Sequence, residues 1–208
     1  MDALMVASGG APSEELFKRR AKDAELLIAV DNGLSVFEKF QIVPHLIVGD
    51  MDSVSKKTLK LYEDKSEIIT APTEKNETDA ALAVDEAAKR GVEHIVFLGA
   101  TGGRIDHLLS NLMLLKYAHN KDADLIIEDD EHEICLRRGN FDIYGKKGQT
   151  VSIIPMNKSA VVNAKGLYYP LVNLVLTNEH PRGVSNVFLG NKAAVKSDDF
   201  VFIIKVKK

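Results

Sequence analysis

Short apolar runs alternate along the first part of the chain with stretches in which apolar residues recur every three or four positions. The runs fall at residues 3–7, 26–30, 46–48, 67–70, 94–98 and 125–127. Between them lie "PSEELFKRRAKDA", "GLSVFEKFQI", "SVSKKTLKLYEDK", "ETDAALAVDEAAKR" and "IDHLLSNLMLLKYAHN". Runs this short read as strands, and the intervening spacing reads as amphipathic helix. Strands that alternate with helices predict a mostly parallel, Rossmann-like sheet with helices on both faces. The helix at 77–90 is expected to start with Asn76 as its cap and Asp79 in its first turn, and to stop at Gly91.

After Glu128 the rhythm changes. "EICLRRGNFDIYGKKGQTVSIIP", "SAVVNAKGLYYPLVNLVLTN" and "NVFLGNKAAVKSDDFVFIIKVKK" are β-branched or aromatic runs punctuated by Gly, Asn, Asp and Pro. That punctuation predicts a C-terminal all-β sandwich or barrel, of which the sandwich is the expected form. The fold class expected is therefore α/β over residues 1–128, followed by a β domain over 129–208. The acidic "EDDEHE" at 128–133 reads as a solvated linker at the junction.

Composition narrows the function classes. Hydrophobic residues make up 45% of the 208 positions, enough for a sizeable core, and the net charge is −3. No basic patch marks a nucleic-acid partner. The first residues carry no basic segment ahead of a signal-like apolar run, and no stretch approaches the ~20 apolar residues of a membrane helix. A single cysteine, Cys135, excludes an internal disulfide framework and reads as a small buried hydrophobe. These features point to a cytoplasmic protein that does not bind membranes.

Ligands of an open parallel sheet bind beyond the carboxyl ends of its strands. There the sequence collects Ser8-Gly9-Gly10, Asp31-Asn32-Gly33, Gly49-Asp50-Met51-Asp52-Ser53, a segment ending in Thr78-Asp79, and Gly99-Ala100-Thr101-Gly102-Gly103-Arg104 with Asp106 just beyond. Glycines let backbone N–H groups approach a ligand, and a helix starting near Arg104 aims its positive end at the same rim. Asp50 and Asp52 repel each other unless solvent screens them or a cation lies between them, and Mg²⁺ takes such carboxylates together with phosphate oxygens. Each group also has a plainer reading: Asp79 as a capping residue, Asp106 as a complement to a helix dipole, Asp31 as part of a turn, His107 as a packing residue. "GATGGRID" is neither a Walker A loop nor Gly-x-Gly-x-x-Gly. Dispersed aspartates around a phosphate site point to metal-assisted phosphoryl or pyrophosphoryl transfer.

"GDMDSV", "PTEKNETDAALAV", "GATGGRIDHLLSN" and "GVSN", in this order, resemble the motifs of the thiamine pyrophosphokinase family over essentially the whole chain. The resemblance implies transfer of the pyrophosphoryl group of ATP to the hydroxyl of thiamine, giving thiamine diphosphate and AMP. It implies that Asp50, Asp52, Asp79 and Asp106 hold Mg²⁺ and the triphosphate, with Arg104 stabilising the transferring group. Ser8, Gly9, Asp31, Asn32, Thr101, Gly102 and Gly103 would complete the ATP site, and Ser185, Asn186 and Lys75 would bind thiamine. It further implies a homodimer with the active site at the subunit interface, the β domain serving thiamine binding and dimerisation. In some members a tryptophan stacks on thiamine. This chain has none, which leaves that contact to a Tyr or Phe. Two other readings use the same residues: a Mg²⁺-dependent nucleotide or phosphate-ester hydrolase, and a non-catalytic nucleotide-sensing module.

Overall fold

The computed structural model describes residues 1–51, 56–70 and 78–207. The chain divides into two compact units, Met1–Asp130 and Glu131–Lys208.

In the first unit the elements are β1 (Asp2–Val6), α1 (Glu14–Asp23), β2 (Leu26–Val30), α2 (Leu34–Phe40), β3 (Leu46–Gly49), α3 (Lys56–Tyr62), β4 (Glu67–Thr70), α4 (Asp79–Lys89), β5 (His94–Leu98), α5 (Ile105–His119) and β6 (Asp124–Glu128). A short 3₁₀ turn, Asp31–Gly33, joins β2 to α2. The strands are parallel in the order β6-β5-β1-β2-β3-β4. The chain builds outward from β1 to β4 and then returns to place β5 on the other side of β1. That reversal creates a crevice above the carboxyl ends of β1 and β5.

Strand parity explains the two layers of helices. Leu4, Val6, Leu27, Ala29 and Ile47 face a cluster containing Phe17 of α1 and Phe37 of α2. The rings of Phe17 and Phe37 meet edge to face at 5.2 Å. The alternate residues Met5, Ile28, Leu46 and Val48 are also buried, so a second layer must cover the opposite face. There α4 packs against β2 and β3, and α5 against β6. Among the described residues no helix is long and apolar enough to cross a membrane.

Two expectations need correction. Helix α4 begins at Asp79, two residues later than expected, because Thr78 is its N-cap and accepts a hydrogen bond from the Ala81 N–H; Asn76 lies outside the described residues. The acidic run is not a solvated linker either. Glu128 is only 2% exposed and accepts from Arg19 (3.2 Å) and Arg20 (2.6 Å). Asp130 accepts from the Ser13 N–H and hydroxyl, and Ser13 in turn caps α1. The cations and donors that satisfy this run lie far away in sequence, so local composition could not reveal them.

The second unit is built from β7 (His132–Tyr144), β8 (Thr150–Pro155), β9 (Ser159–Lys165), β10 (Leu171–Thr177), β11 (Asn186–Val187) and β12 (Lys192–Val206), and these strands pair antiparallel. Strands β7 and β12 pair along most of their length, with an irregularity between Ser197 and Val201. On the other edge of β12, β9 pairs before that bulge and β8 after it. One bent strand therefore serves two sets of neighbours, as bulges permit. Val151, Ile153, Val162, Leu176, Phe188, Val195 and Val201 form its buried core.

Candidate active site

The crevice at the strand reversal is a cavity of about 620 Å³. Its floor is set by backbone contacts between neighbouring strand ends: the Ala7 N–H donates to the Leu98 carbonyl (2.9 Å) and the Gly9 N–H to the Gly99 carbonyl (2.8 Å). The loops are packed so closely that a Cβ on Gly9 would stand 2.7 Å from the Gly99 oxygen and 2.8 Å from that of Thr101. Ser8, Gly9, Asp31, Asp79, Gly102, Gly103, Arg104 and Asp106 line the cavity, joined by Thr78, His107 and Asn111. The first turns of α4 and α5 thus open onto one wall, a favourable setting for anionic oxygens.

Asp31 is the electrostatic centre of this rim. Its carboxyl is pushed up to about 7, first by burial, then by the negative charges of Asp79 and Asp50, against the smaller pull of the Asp50 backbone N–H. Its Oδ1 is buried without a hydrogen-bond partner. That oxygen occupies the space a side chain on Gly49 would need, since a Cβ there would stand 1.9 Å away. Gly49 has φ +153°, so its identity answers both to conformation and to this close approach. A buried carboxylate oxygen without a donor, faced by two further carboxylates, fits a divalent cation. Among the described residues no three such side chains are gathered into a complete ligand set; Asp52 lies outside those residues, as does Lys75.

Arg104 and Asp106 form a two-pronged exposed pair, with Nε to Oδ1 at 3.1 Å and Nη2 to Oδ2 at 2.5 Å. The Arg104 guanidinium holds the Asp106 carboxyl down to about 2. Because the depressed value lies below the ordinary carboxylate range, the pair is intact at neutral pH and is lost only as pH falls towards 2. Asp50 is exposed at the end of β3. Neither it, Asn32 nor Thr101 is among the cavity-lining residues. The Thr101 hydroxyl donates instead to Asp129 at 2.8 Å, and the Asn32 carbonyl accepts from Ser35.

In the β unit, Ser185 is exposed with φ 56°, and its N–H donates to the Ser152 hydroxyl at 3.0 Å. Asn186 is 4% exposed. Its amide donates to the Tyr169 carbonyl (2.7 Å) and accepts from the N–H groups of Tyr169 (3.0 Å) and Val187 (2.9 Å). The bracket leaves Tyr168 and Tyr169 62% and 59% exposed, their rings edge to face at 4.9 Å. The sequence contains no sign of this beyond "GLYYP" itself; that two tyrosines stay exposed beside the Gly183–Asn186 turn is a property of the folded β unit.

Two family models match in tandem. The model described as thiamin pyrophosphokinase, catalytic domain, matches residues 17–127, and that described as thiamin pyrophosphokinase, vitamin B1 binding domain, matches residues 131–201. Thiamine pyrophosphokinase from Bacillus subtilis is 29% identical over 188 residues, covering 84% of this chain and 88% of its own. The crystal structure of the Bacillus subtilis thiamine pyrophosphokinase superposes with a TM-score of 0.87 at 24% identity, covering 100% of both chains. That of a thiamin pyrophosphokinase family protein from Enterococcus faecalis gives a TM-score of 0.86 at 25% identity, again covering 100% of both. With two domain models of one family laid end to end along the sequence, and the fold of its solved members reproduced over the whole chain, this protein belongs to the thiamin pyrophosphokinase family of enzymes.

Proposed function

We propose that the protein transfers the pyrophosphoryl group of ATP to the hydroxyl of thiamine, giving thiamine diphosphate and AMP with Mg²⁺. The observation that carries this reading is the partnerless buried Oδ1 of Asp31, set among Asp50 and Asp79 at the rim of a crevice edged by glycine loops. Asp31, Asp50 and Asp79, with Asp52 by its place in the motif, would hold the metal, and Asp106 would join them on release from Arg104. Mg²⁺ bound there supplies positive charge to the phosphate oxygens.

The chain's own groups do the positioning on which phosphoryl transfer depends. Backbone N–H groups of Gly102 and Gly103, with Ser8 and the α5 N-terminus, hold the triphosphate, and Gly9 leaves room for its close approach. Arg104, whose pairing with Asp106 is exposed and so exchanged at low cost, turns to the transferring group and offsets its charge. The thiamine hydroxyl oxygen bonds to the β-phosphorus as the bond from that phosphorus to the oxygen of AMP breaks. The hydroxyl proton passes to an aspartate, Asp79 or Asp52. Thiamine is held by Ser185 and Lys75 and stacks on Tyr169, whose backbone Asn186 brackets. Two copies of the chain form the working dimer, with thiamine bound where they meet.

The test is incubation of the purified protein with ATP, Mg²⁺ and thiamine, against controls lacking thiamine or metal. AMP and thiamine diphosphate should appear in equal amounts and in neither control. ATP turnover without thiamine would replace this reading with a hydrolase, and no turnover with a binding module.

A further inference from the structure

We propose that Asp129 is a positioning residue for the nucleotide site: by holding the Thr101 hydroxyl it sets the glycine loop 99–103 at its working distance over Gly9 and Gly10. The inference rests on the ATP-binding role proposed above. Thr101 Oγ1 donates to Asp129 Oδ2 at 2.8 Å, a bond strengthened by the carboxylate charge. The backbone of Thr101 meanwhile presses on the loop after β1. A Cβ on Gly9 would stand 2.8 Å from the Thr101 oxygen, and one on Gly10 2.9 Å. Neither Thr101 nor Asp129 lines the cavity, but Gly9, Gly102 and Gly103 do. Thr101 therefore joins the two phosphate-facing loops through its backbone while its side chain is anchored outside the site.

The loop needs such an anchor. Gly99, Gly102 and Gly103 all adopt left-handed backbone, and a segment this rich in glycine has little stiffness of its own. The Gly99 carbonyl accepts from the Gly9 N–H, and the Ala100 carbonyl from Asn111 at 2.9 Å. These bonds hold the start of the loop; the Thr101 tether adjoins Gly102 and Gly103, the part that faces the ligand. The anchor is itself well held. Asp129 follows the buried, doubly paired Glu128 and precedes Asp130, which grips the cap of α1.

The experiment compares Asp129→Ala, Thr101→Val and the double variant with the conservative Asp129→Asn and Thr101→Ser. The readouts are the KM for ATP, the KM for thiamine, kcat, calorimetric binding of ATP with Mg²⁺, and Tm. A loosened cradle should raise the ATP KM and Kd about tenfold. The thiamine KM should stay within about twofold, because the residues proposed to hold thiamine, Ser185, Lys75 and Tyr169, lie outside this loop. The double variant should be no worse than either single, since both break one bond. Asp129→Asn and Thr101→Ser, which keep an acceptor and a donor, should lie near the unmodified protein. Unchanged ATP affinity, multiplied effects in the double variant, or a parallel rise in both KM values with a fall in Tm would overturn the proposal. If Asp129→Ala does not fold, Thr101→Val against Thr101→Ser decides the same question. An unmodified protein that fails to bind ATP overturns the proposed function and this inference with it; one that binds ATP while the variants bind equally overturns the inference alone.

Discussion

At the scale of single residues, Asp31 carries the sharpest consequence. Its folded-state carboxyl sits near pH 7, against 3.8 ordinarily. Between those values the folded protein binds a proton that the unfolded chain has released, so this residue's contribution to stability falls as pH rises from about 4 to about 7. Asp31→Asn should be more stable than the unmodified protein at pH 8 in chelator, on the order of 2 kcal/mol, and nearly equal to it at about pH 4.5. Denaturant melts at the two pH values check this; the same difference at both would remove the electrostatic account. Under assay conditions with Mg²⁺ the same variant should lose activity. Tyr169 offers a second test at this scale. Loss of a stacked ring costs binding of the molecule stacked on it. Tyr169→Ala should raise the thiamine KM by about tenfold or more, Tyr169→Trp should keep it, and the ATP KM should not move. Steady-state kinetics with each substrate varied in turn would separate these outcomes.

Among the elements, the end of β6 matters more than its composition suggests. Three acidic residues in a row there satisfy three different parts of the α/β unit: Glu128 pairs with Arg19 and Arg20 of α1, Asp129 takes the Thr101 hydroxyl, and Asp130 takes Ser13. Glu128 is almost fully buried, so removing it opens a hole beside Arg20, whereas Glu86, with a side chain 13% exposed, pairs with the solvent-facing Lys89 and with Arg90. Glu128→Ala should lower stability by about 2 kcal/mol and Glu86→Ala by less than about 1 kcal/mol. Equal losses in chemical denaturation would mean that burial does not distinguish the two. Helix α4 shows the same dependence on a terminus: the Thr78 cap places Asp79 in the first turn, at the cavity wall. In the β unit the bulge in β12 lets one strand pair with β9 and then β8, a division no local pattern announces.

For the molecule as a whole, the family model described as a catalytic domain matches the first part of the chain and the one described as a vitamin B1 binding domain matches the second. If the working site is built where two copies meet, variants inactive for different reasons should rescue one another. Asp79→Ala and Ser185→Ala, each inactive alone, should on co-expression recover roughly a quarter of full activity, because half of randomly formed dimers would carry one intact site of two. Recovery would be read as thiamine diphosphate formed by the mixed protein. No recovery from a dimeric mixture would place each site within a single copy.

Hydrophobic periodicity alone determined the α/β-then-β order, because alternation of strand and helix leaves a parallel sheet as the economical way to bury both faces. The glycines and aspartates after each strand were legible for the same reason: residues following parallel strands share one rim. Tertiary structure decided what those residues meet. The unpartnered oxygen of Asp31 exists only because Gly49, on the next strand, leaves room for it. Thr101 turns out of the cavity because Asp129 waits for it at the end of β6, and the Asn186 amide turns inward to bracket Tyr169. Burial of Glu128 likewise needs arginines from the other end of the unit. Periodicity is a property of neighbours along the chain, whereas pairing, exposure and carboxylate charge depend on groups that only folding brings together.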